Sequence, residues 1–420
     1  MLNLVYYAGH TKAFNTEDMM INLKDIQDAH ERIKDQIIKT PSTYSSTFSE
    51  LTNCEVYLKL ENLQLTGAYK VRGALNRMQC LSEEQKKKGV IASSAGNHAQ
   101  GVALAAKKCG IEATIVMPKT TPLSKIQGTK KFGAKVVLHG DFYDDAYQKA
   151  LELQREQGQE FIHPFNDKDI IAGQGTIGLE LFDTIKDLEV VIIPIGGGGL
   201  ISGVSTALKA LNPKIRIIGV EAEQMAAMKA SVDSGKIEVV KKSKTIADGI
   251  AVTTVLDNTY NIVKKNVDEI VTVSEVEMAH AIMMLLETEK VLAEGAGAAA
   301  FAALTYGKIK DLEHKKVAVL VSGGNIDLNF LSKVVERGLS QDGRLCNLKV
   351  IVPDNPGIIS DISKIVADHG ANIVDIYHNR TFSNTHLGET AVHFTLETKG
   401  HPHIEEIITA ITERGLEVRL

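Results

Sequence analysis

Four short stretches of this 420-residue chain hold residues that could do chemistry, each among small or apolar neighbours. In LTGAYKVRGAL, residues 65–75, Lys70 sits between Tyr69 and Val71, with Arg72 the other charge. A lysine must be neutral to attack a carbonyl, and apolar surroundings favour the neutral amine. In SSAGNHAQG, residues 93–101, a turn between strand and helix offers backbone amides and the Ser94 hydroxyl to a carboxylate. Asn97 in the same turn could bond an oxygen on a ring. In IIPIGGGGLISG, the consecutive Gly196, Gly197, Gly198 and Gly199 leave backbone amides bare enough to cradle a phosphate. In VAVLVSGGNID, Ser322 ends a strand before two glycines, where a hydroxyl could meet a ring nitrogen as a neutral partner.

Each stretch also has a plainer reading. Lys70 could snorkel from a helix start, the serines could cap a tight connection, and Ser322 could be a turn residue. Four adjacent glycines are harder to explain without a ligand, because they weaken the backbone. Two nucleotide readings compete. A dinucleotide fold needs G-x-G-x-x-G, which no frame through Gly196–Gly203 supplies in the usual place, although Glu221 could hold a ribose. A P-loop needs Gly-Lys-Ser/Thr, which GGLIS lacks. Neither accounts for Lys70.

The elements that must position these residues follow from periodicity. The runs GVIASSAG, EATIVMP, AKVVLHG, VVIIPIGGGG and IRIIGVE are short and β-branched. Between them lie helical segments at Ala99–Cys109, Leu123–Phe132 and Leu200–Leu211. This rhythm predicts an α/β fold of parallel sheets covered by helices, with ligands at the carboxyl ends of the strands, where the glycine and serine clusters fall. The division expected is an extension at 1–20, a catalytic domain at 21–335, a linker at 336–345 (from VERGLSQDGR) and a βαββαβ unit at 346–420.

Composition bounds the class. A chain of 420 residues suggests two or three domains, and 44% hydrophobic with 24% charged residues is ordinary for a globular protein. A net charge of -5 argues against nucleic acid as a partner, and no apolar run is long enough for a bilayer. The N-terminus lacks the pattern of a signal peptide. Cys54, Cys80, Cys109 and Cys346 show no C-x-x-C spacing, which reads as free thiols in a cytoplasmic protein.

In order, TGAYKVRGA, SSAGNHAQG, GGGGL and SGGN resemble the fold type II (tryptophan-synthase-β-like) pyridoxal-phosphate enzymes, and among them the threonine ammonia-lyase, or threonine dehydratase, family. HPFND, AGQGTIGLE, ADGIAV and EGAGAAA belong to the same resemblance, which covers roughly 21–337. It implies two doubly wound subdomains with pyridoxal 5'-phosphate between them. It further implies that Lys70 carries the cofactor aldehyde and later takes the substrate α-proton, with Tyr69 in the place of the aromatic residue against the ring. Asn97 would bond the ring hydroxyl, and Gly196 to Gly199 with Leu200 would hold the phosphate. Ser322 would face the ring nitrogen. Ser93, Ser94, Ala95, Gly96, Asn97 and His98 would bind the substrate carboxylate, with Ser94 also in the catalytic set; Phe165 and Glu294 would line the pocket.

The implied reaction converts L-threonine, and L-serine as well, to a 2-oxo acid and ammonia. Related serine racemases carry a second serine where this chain has Ala95, which favours elimination over racemisation. They also place an Asp six residues after the acid that ends the GVE strand, where this chain has Ala227, so no tight magnesium site is expected, with a monovalent ion left open. The alternatives are a serine or hydroxyaspartate dehydratase or racemase of the same fold, or a non-catalytic amino-acid-binding regulator. The C-terminal unit resembles an ACT domain through VPDNPGIISDISKIVADHGANIVDI. That implies an amino-acid effector at Asp354, Asn355 and Gly357, or else a module that only mediates association; the family's link is to isoleucine synthesis, and a homo-oligomer, dimer or tetramer, is expected.

Overall fold

A computed structural model describes residues 21–380 and 386–420. The expected extension at 1–20 lies outside them. The chain divides into two units, the first ending at Asp327 and the second beginning at Leu328.

The first unit holds two sheets. The strands are β1 (Ser42–Ser45), β2 (Glu55–Leu60), β3 (Val90–Ser93), β4 (Ala113–Met117), β5 (Lys135–Leu138), β6 (Glu160–Phe161), β7 (Val190–Pro194), β8 (Arg216–Ala222), β9 (Glu269–Val273) and β10 (Lys316–Val321). The smaller sheet runs β5-β4-β3-β6, all parallel, and is inserted between β2 and β7. The larger runs β1-β2-β10-β7-β8-β9, parallel except for β1. Every residue of β3, β4 and β7 is buried, as expected of parallel strands covered on both faces. Each sheet has its own apolar core, one built on Val90, Ile115 and Met117, the other on Val191, Ile193 and Leu320.

The five β-branched runs form β3, β4, β5, β7 and β8. The expected helices form at Asn97–Cys109, Leu123–Lys131 and Gly199–Leu211. The SSAGNHAQG turn, the glycine run and Ser322 leave the carboxyl ends of β3, β7 and β10.

The second unit is an antiparallel sheet of β11 (Leu345–Pro353), β12 (Asn372–Asn379), β13 (Glu389–Glu397) and β14 (Glu417–Arg419), in the order β12-β13-β11-β14. Helices Ile358–Asp368 and His401–Thr412 complete the βαββαβ order. The segment expected as a linker differs. A helix runs from Leu328 to Gln341, burying Val334 and Gly338, and the second unit begins with it. The glycines that suggested a linker mark a buried helix position and, at Gly343, a left-handed turn with φ 66°.

Candidate active site

Lys70 opens the helix Lys70–Cys80. The segment before it is zipped to the end of β10. Tyr69 donates its amide to the Ser322 carbonyl at 3.2 Å, and Gly324 donates to Gly67 at 2.9 Å. Lys70 and Ser322 are therefore neighbours because two chain segments pair, although they lie 252 positions apart in the sequence (322 − 70). The Lys70 Nζ donates to the Pro164 carbonyl at 3.0 Å and lies 5.1 Å from the centre of the Tyr69 ring. Tyr69 packs on the larger core.

The SSAGNHAQG turn leaves β3. Ser93 is 2% exposed and its Oγ has no protein partner, so a buried hydroxyl is left for a ligand. Ser94 Oγ accepts the Gly96 amide at 3.2 Å and keeps its proton to donate. His98 is buried, with Nε2 at 2.9 Å from the Ile162 carbonyl. Burial first, then the Lys70 charge, pushes its pKa down to about 3, so the ring stays neutral and is a hydrogen-bond donor at Nε2.

Asn97 begins the helix and is fixed from both ends. Its Nδ2 donates to Glu294 Oε1 at 2.5 Å, and its Oδ1 accepts from Asn325 Nδ2 at 2.8 Å. Asn325 in turn donates to the Thr66 carbonyl at 2.7 Å. Burial first, and Asp248 second, push the Glu294 carboxyl up to about 7.

The glycine run joins β7 to the helix Gly199–Leu211. Among the described residues, the amides of Gly196 to Ile201 meet no protein acceptor. They are the free donors expected of a helix N-terminus built for an anion. Phe165 closes the other side. A β-carbon on Gly197 would lie 2.3 Å from its ring, and one on Gly199 would lie 2.8 Å from its carbonyl oxygen. Gly198 has φ 87°, which disfavours any other residue.

These residues surround one cavity of about 1690 Å³. Tyr69, Lys70, Ser93 to His98, Phe165, Gly197, Leu200, Glu294 and Ser322 line it, whereas Gly196, Gly198 and Gly199 are not among its lining residues. The Lys70 amine, the vacant amides of the glycine run and the unpartnered Ser93 hydroxyl fit pyridoxal phosphate. Ser322 Oγ lies at the same cavity and donates to the Ala296 carbonyl at 3.4 Å. The structure does not bring Glu221 into this group. Its carboxylate accepts the amides of Met228 and Lys229 at 2.9 and 2.7 Å, capping the helix Ala227–Ser234, and burial raises its pKa to about 7.

Beneath Lys70 lies a buried ionic cluster that residue patterns did not suggest. Arg72, fully buried, bonds Glu61 at 2.8 Å through Nε and Nη2, and Glu180 at 2.6 and 3.0 Å. Lys59 Nζ reaches Glu180 at 2.6 Å. Asn325 and His163 join the site as well, and the only signal for either in the sequence is the motif it stands in, SGGN or HPFND. In the second unit, Asp354 pairs with Arg380 at 3.2 Å, the Asn355 amide donates to Pro353, and Gly357, φ 96°, caps the helix Ile358–Asp368.

Comparison with known proteins agrees with this geometry. The chain is 50% identical over 401 residues to the L-threonine ammonia-lyase of Thermotoga maritima, covering 96% of this chain and all of that one. The solved threonine deaminase isoform 2 of Solanum lycopersicum superposes with TM-score 0.72 at 39% identity, over 75% of this chain and 86% of that one. Maize serine racemase also gives TM-score 0.72, at 36% identity, over 76% and 98%. Residues 347–415 match the ACT domain family. Residues 33–323, which hold the lysine, the asparagine, the glycine run and the serine, match the pyridoxal-phosphate dependent enzyme family, and to that family the chain belongs.

Proposed function

We propose that this chain is an L-threonine ammonia-lyase that converts L-threonine to 2-oxobutanoate and ammonia with pyridoxal phosphate. The observation that carries the reading is Lys70 Nζ in the same cavity as the free amides of the glycine run. The 50% identity to the Thermotoga enzyme across the whole length supports the substrate.

Bound there, the cofactor supplies an electron-withdrawing ring that acidifies the α-hydrogen of an attached amino acid. Lys70 would hold the cofactor through Nζ, and the same Nζ, when free, would take the α-proton of the substrate. The amides from Gly196 to Leu200 hold the phosphate, Asn97 the ring hydroxyl, and Tyr69 the ring face. Ser322, a neutral hydroxyl, partners the ring nitrogen without fixing a proton on it. Ser93, Ser94 and the amides through His98 hold the substrate carboxylate, and Phe165 closes the pocket. Loss of the β-hydroxyl as water, followed by hydrolysis, balances threonine against 2-oxobutanoate and ammonia.

L-Serine fits the same contacts with one methyl fewer and is the second substrate of this reading. The likeness to serine racemase raises racemisation as a competitor. Ala95 offers no hydroxyl for the opposite face, which favours elimination. The first unit is the catalytic one. The second senses an amino acid at Asp354, Asn355 and Gly357 within a cytoplasmic homo-oligomer serving isoleucine synthesis. Among the described residues no helix is long and apolar enough to cross a membrane.

The test combines products with labelling. Purified protein given L-threonine should release ammonia and 2-oxobutanoate in equal amounts, and borohydride should fix the pyridoxyl group on the peptide that contains Lys70. Lys70→Ala should lower turnover by at least about 10³-fold while cofactor still binds weakly. Label on another lysine, or D-serine as the main product from L-serine, would overturn the reading.

A further inference from the structure

The segment His163–Asp167 touches both halves of the reactive centre. Pro164 gives its carbonyl to Lys70 Nζ at 3.0 Å, and Phe165 packs its ring and main chain against Gly197 and Gly199. No strand or helix includes it; it bridges β6 and the helix Lys168–Thr184. Its backbone donors show what holds it. Pro164 has no amide hydrogen. The Phe165 and Asn166 amides donate to His163 Nδ1 at 3.2 and 2.8 Å. The next capping bonds belong to Asp167, which accepts Asp169 and Ile170 at 2.8 and 3.0 Å and lies 3.1 Å from Arg77. The C-terminal end is thus anchored by a carboxylate held by a cation, whereas the amides that follow Pro164 are held, among the described residues, by the His163 imidazole.

We propose that His163 is a positioning residue for Lys70: by accepting the Phe165 and Asn166 amides at Nδ1, it fixes the Pro164 carbonyl against the lysine amine. Two donors on Nδ1 leave no room for a proton there, so the ring is the Nε2–H tautomer. Burial first, then the Lys70 charge, pushes its pKa down to about 3, which keeps the acceptor intact across the working range. The residue as a whole is half-buried, and the two amide bonds impose the same tautomer by geometry. Phe161 and Phe165 flank the ring, at 6.5 and 4.6 Å between centres, and hold its plane. A fixed carbonyl aims the free amine during proton transfer, when no covalent bond holds it. This role rests on Lys70 being the base.

The test uses the full chain, with and without cofactor. His163→Asn places an amide oxygen near the position of Nδ1 and should keep kcat within about threefold of the parent. His163→Leu fills the space without an acceptor and should lose about 10- to 100-fold in kcat, with KM changing less. Parent-like kcat in His163→Leu would overturn the proposal. So would equal loss in both variants when their melting temperatures match the parent's. A readout independent of turnover is the ring ¹⁵N spectrum of the histidine-labelled parent protein without cofactor, assigned by the proximity of the His163 ring to the Phe165 ring. It should show an unprotonated Nδ1 from pH 8 to pH 5, whereas a protonated Nδ1 would overturn the proposal even if neither variant folds. Failure of the threonine assignment would leave that spectrum unchanged, so the two can be told apart.

Discussion

Arg72 lies two residues beyond the lysine and makes no contact with the cavity, yet it sets how rigidly the lysine's helix sits. Its charge and that of Lys59 balance Glu61 and Glu180, all 3% exposed or less. Desolvation pulls the Lys59 pKa down despite its partners, while Arg72 and Lys59 together pull Glu180 down against burial. Removing one member leaves a buried charge unpaired, which is where such clusters become costly. Arg72→Met should lower stability by about 3–5 kcal/mol in urea unfolding; a loss below about 1 kcal/mol would mean that water enters and replaces the guanidinium. Glu294 gives the pH counterpart. Its folded pKa of about 7 lies above its ordinary 4.5, so between those values the folded chain holds a proton that the unfolded chain has released. Stability from this group therefore falls as pH rises from 4.5 to 7, by about 1.4 kcal/mol per pH unit, and levels off above. Glu294→Gln without cofactor should gain on the parent between pH 5 and pH 8, read as urea midpoints. An unchanging difference would show the carboxyl already ionised at pH 5. The sequence made Lys70 and Asn97 legible because small neighbours single them out. It hid Arg72 because its partners lie 11 and 108 residues away, and a lone arginine reads as surface.

Elements carry the site by packing closely, and glycine permits it. The helices Lys70–Cys80 and Lys168–Thr184 touch at Gly73 and Gly173, where a β-carbon on Gly173 would lie 2.6 Å from the Gly73 Cα. Helices Lys168–Thr184 and Gly199–Leu211 touch at Gly175 and Gly203, where a β-carbon on Gly203 would lie 2.3 Å from the Ile171 carbonyl oxygen. That neighbour is backbone, so one helix must move. Gly203→Ala should cost about 1–3 kcal/mol by overpacking. Because the shifted helix begins at the glycine run, cofactor affinity should fall with it, measured as a dissociation constant by absorbance. Unchanged affinity with lowered stability would mean that the amides are held by Phe165 rather than by the helix. The strands were readable because burial on both faces makes β3, β4 and β7 continuous apolar runs. The helix Leu328–Gln341 was not, since Gly338 and the charged stretch after it mimic a break, whereas in the fold Gly338 is buried.

At the scale of the whole chain, the apolar cores show where it can be cut. One core runs from Cys346 to Ile411 within the second unit, and the cores around both sheets of the first unit use residues before Asp327. Every residue proposed for catalysis lies before that point, and every residue proposed for sensing lies after it. Regions with separate cores can fold alone. A chain ended at Asp327 should therefore keep its threonine turnover, with kcat within a factor of about three of the full chain. It should lose any response to isoleucine or valine, because the turn proposed for sensing, Asp354 to Gly357, is removed with the second unit. The cut falls before the helix Leu328–Gln341, because that helix packs on β11 and would otherwise be left with its Val334 face uncovered. Rate curves against threonine, with and without isoleucine, compare the two chains directly. A truncated chain that still responded would place the sensor in the first unit. A full chain with Asp354→Ala that responded like the parent would remove the Asp354 turn from the sensing site while leaving the catalytic assignment intact.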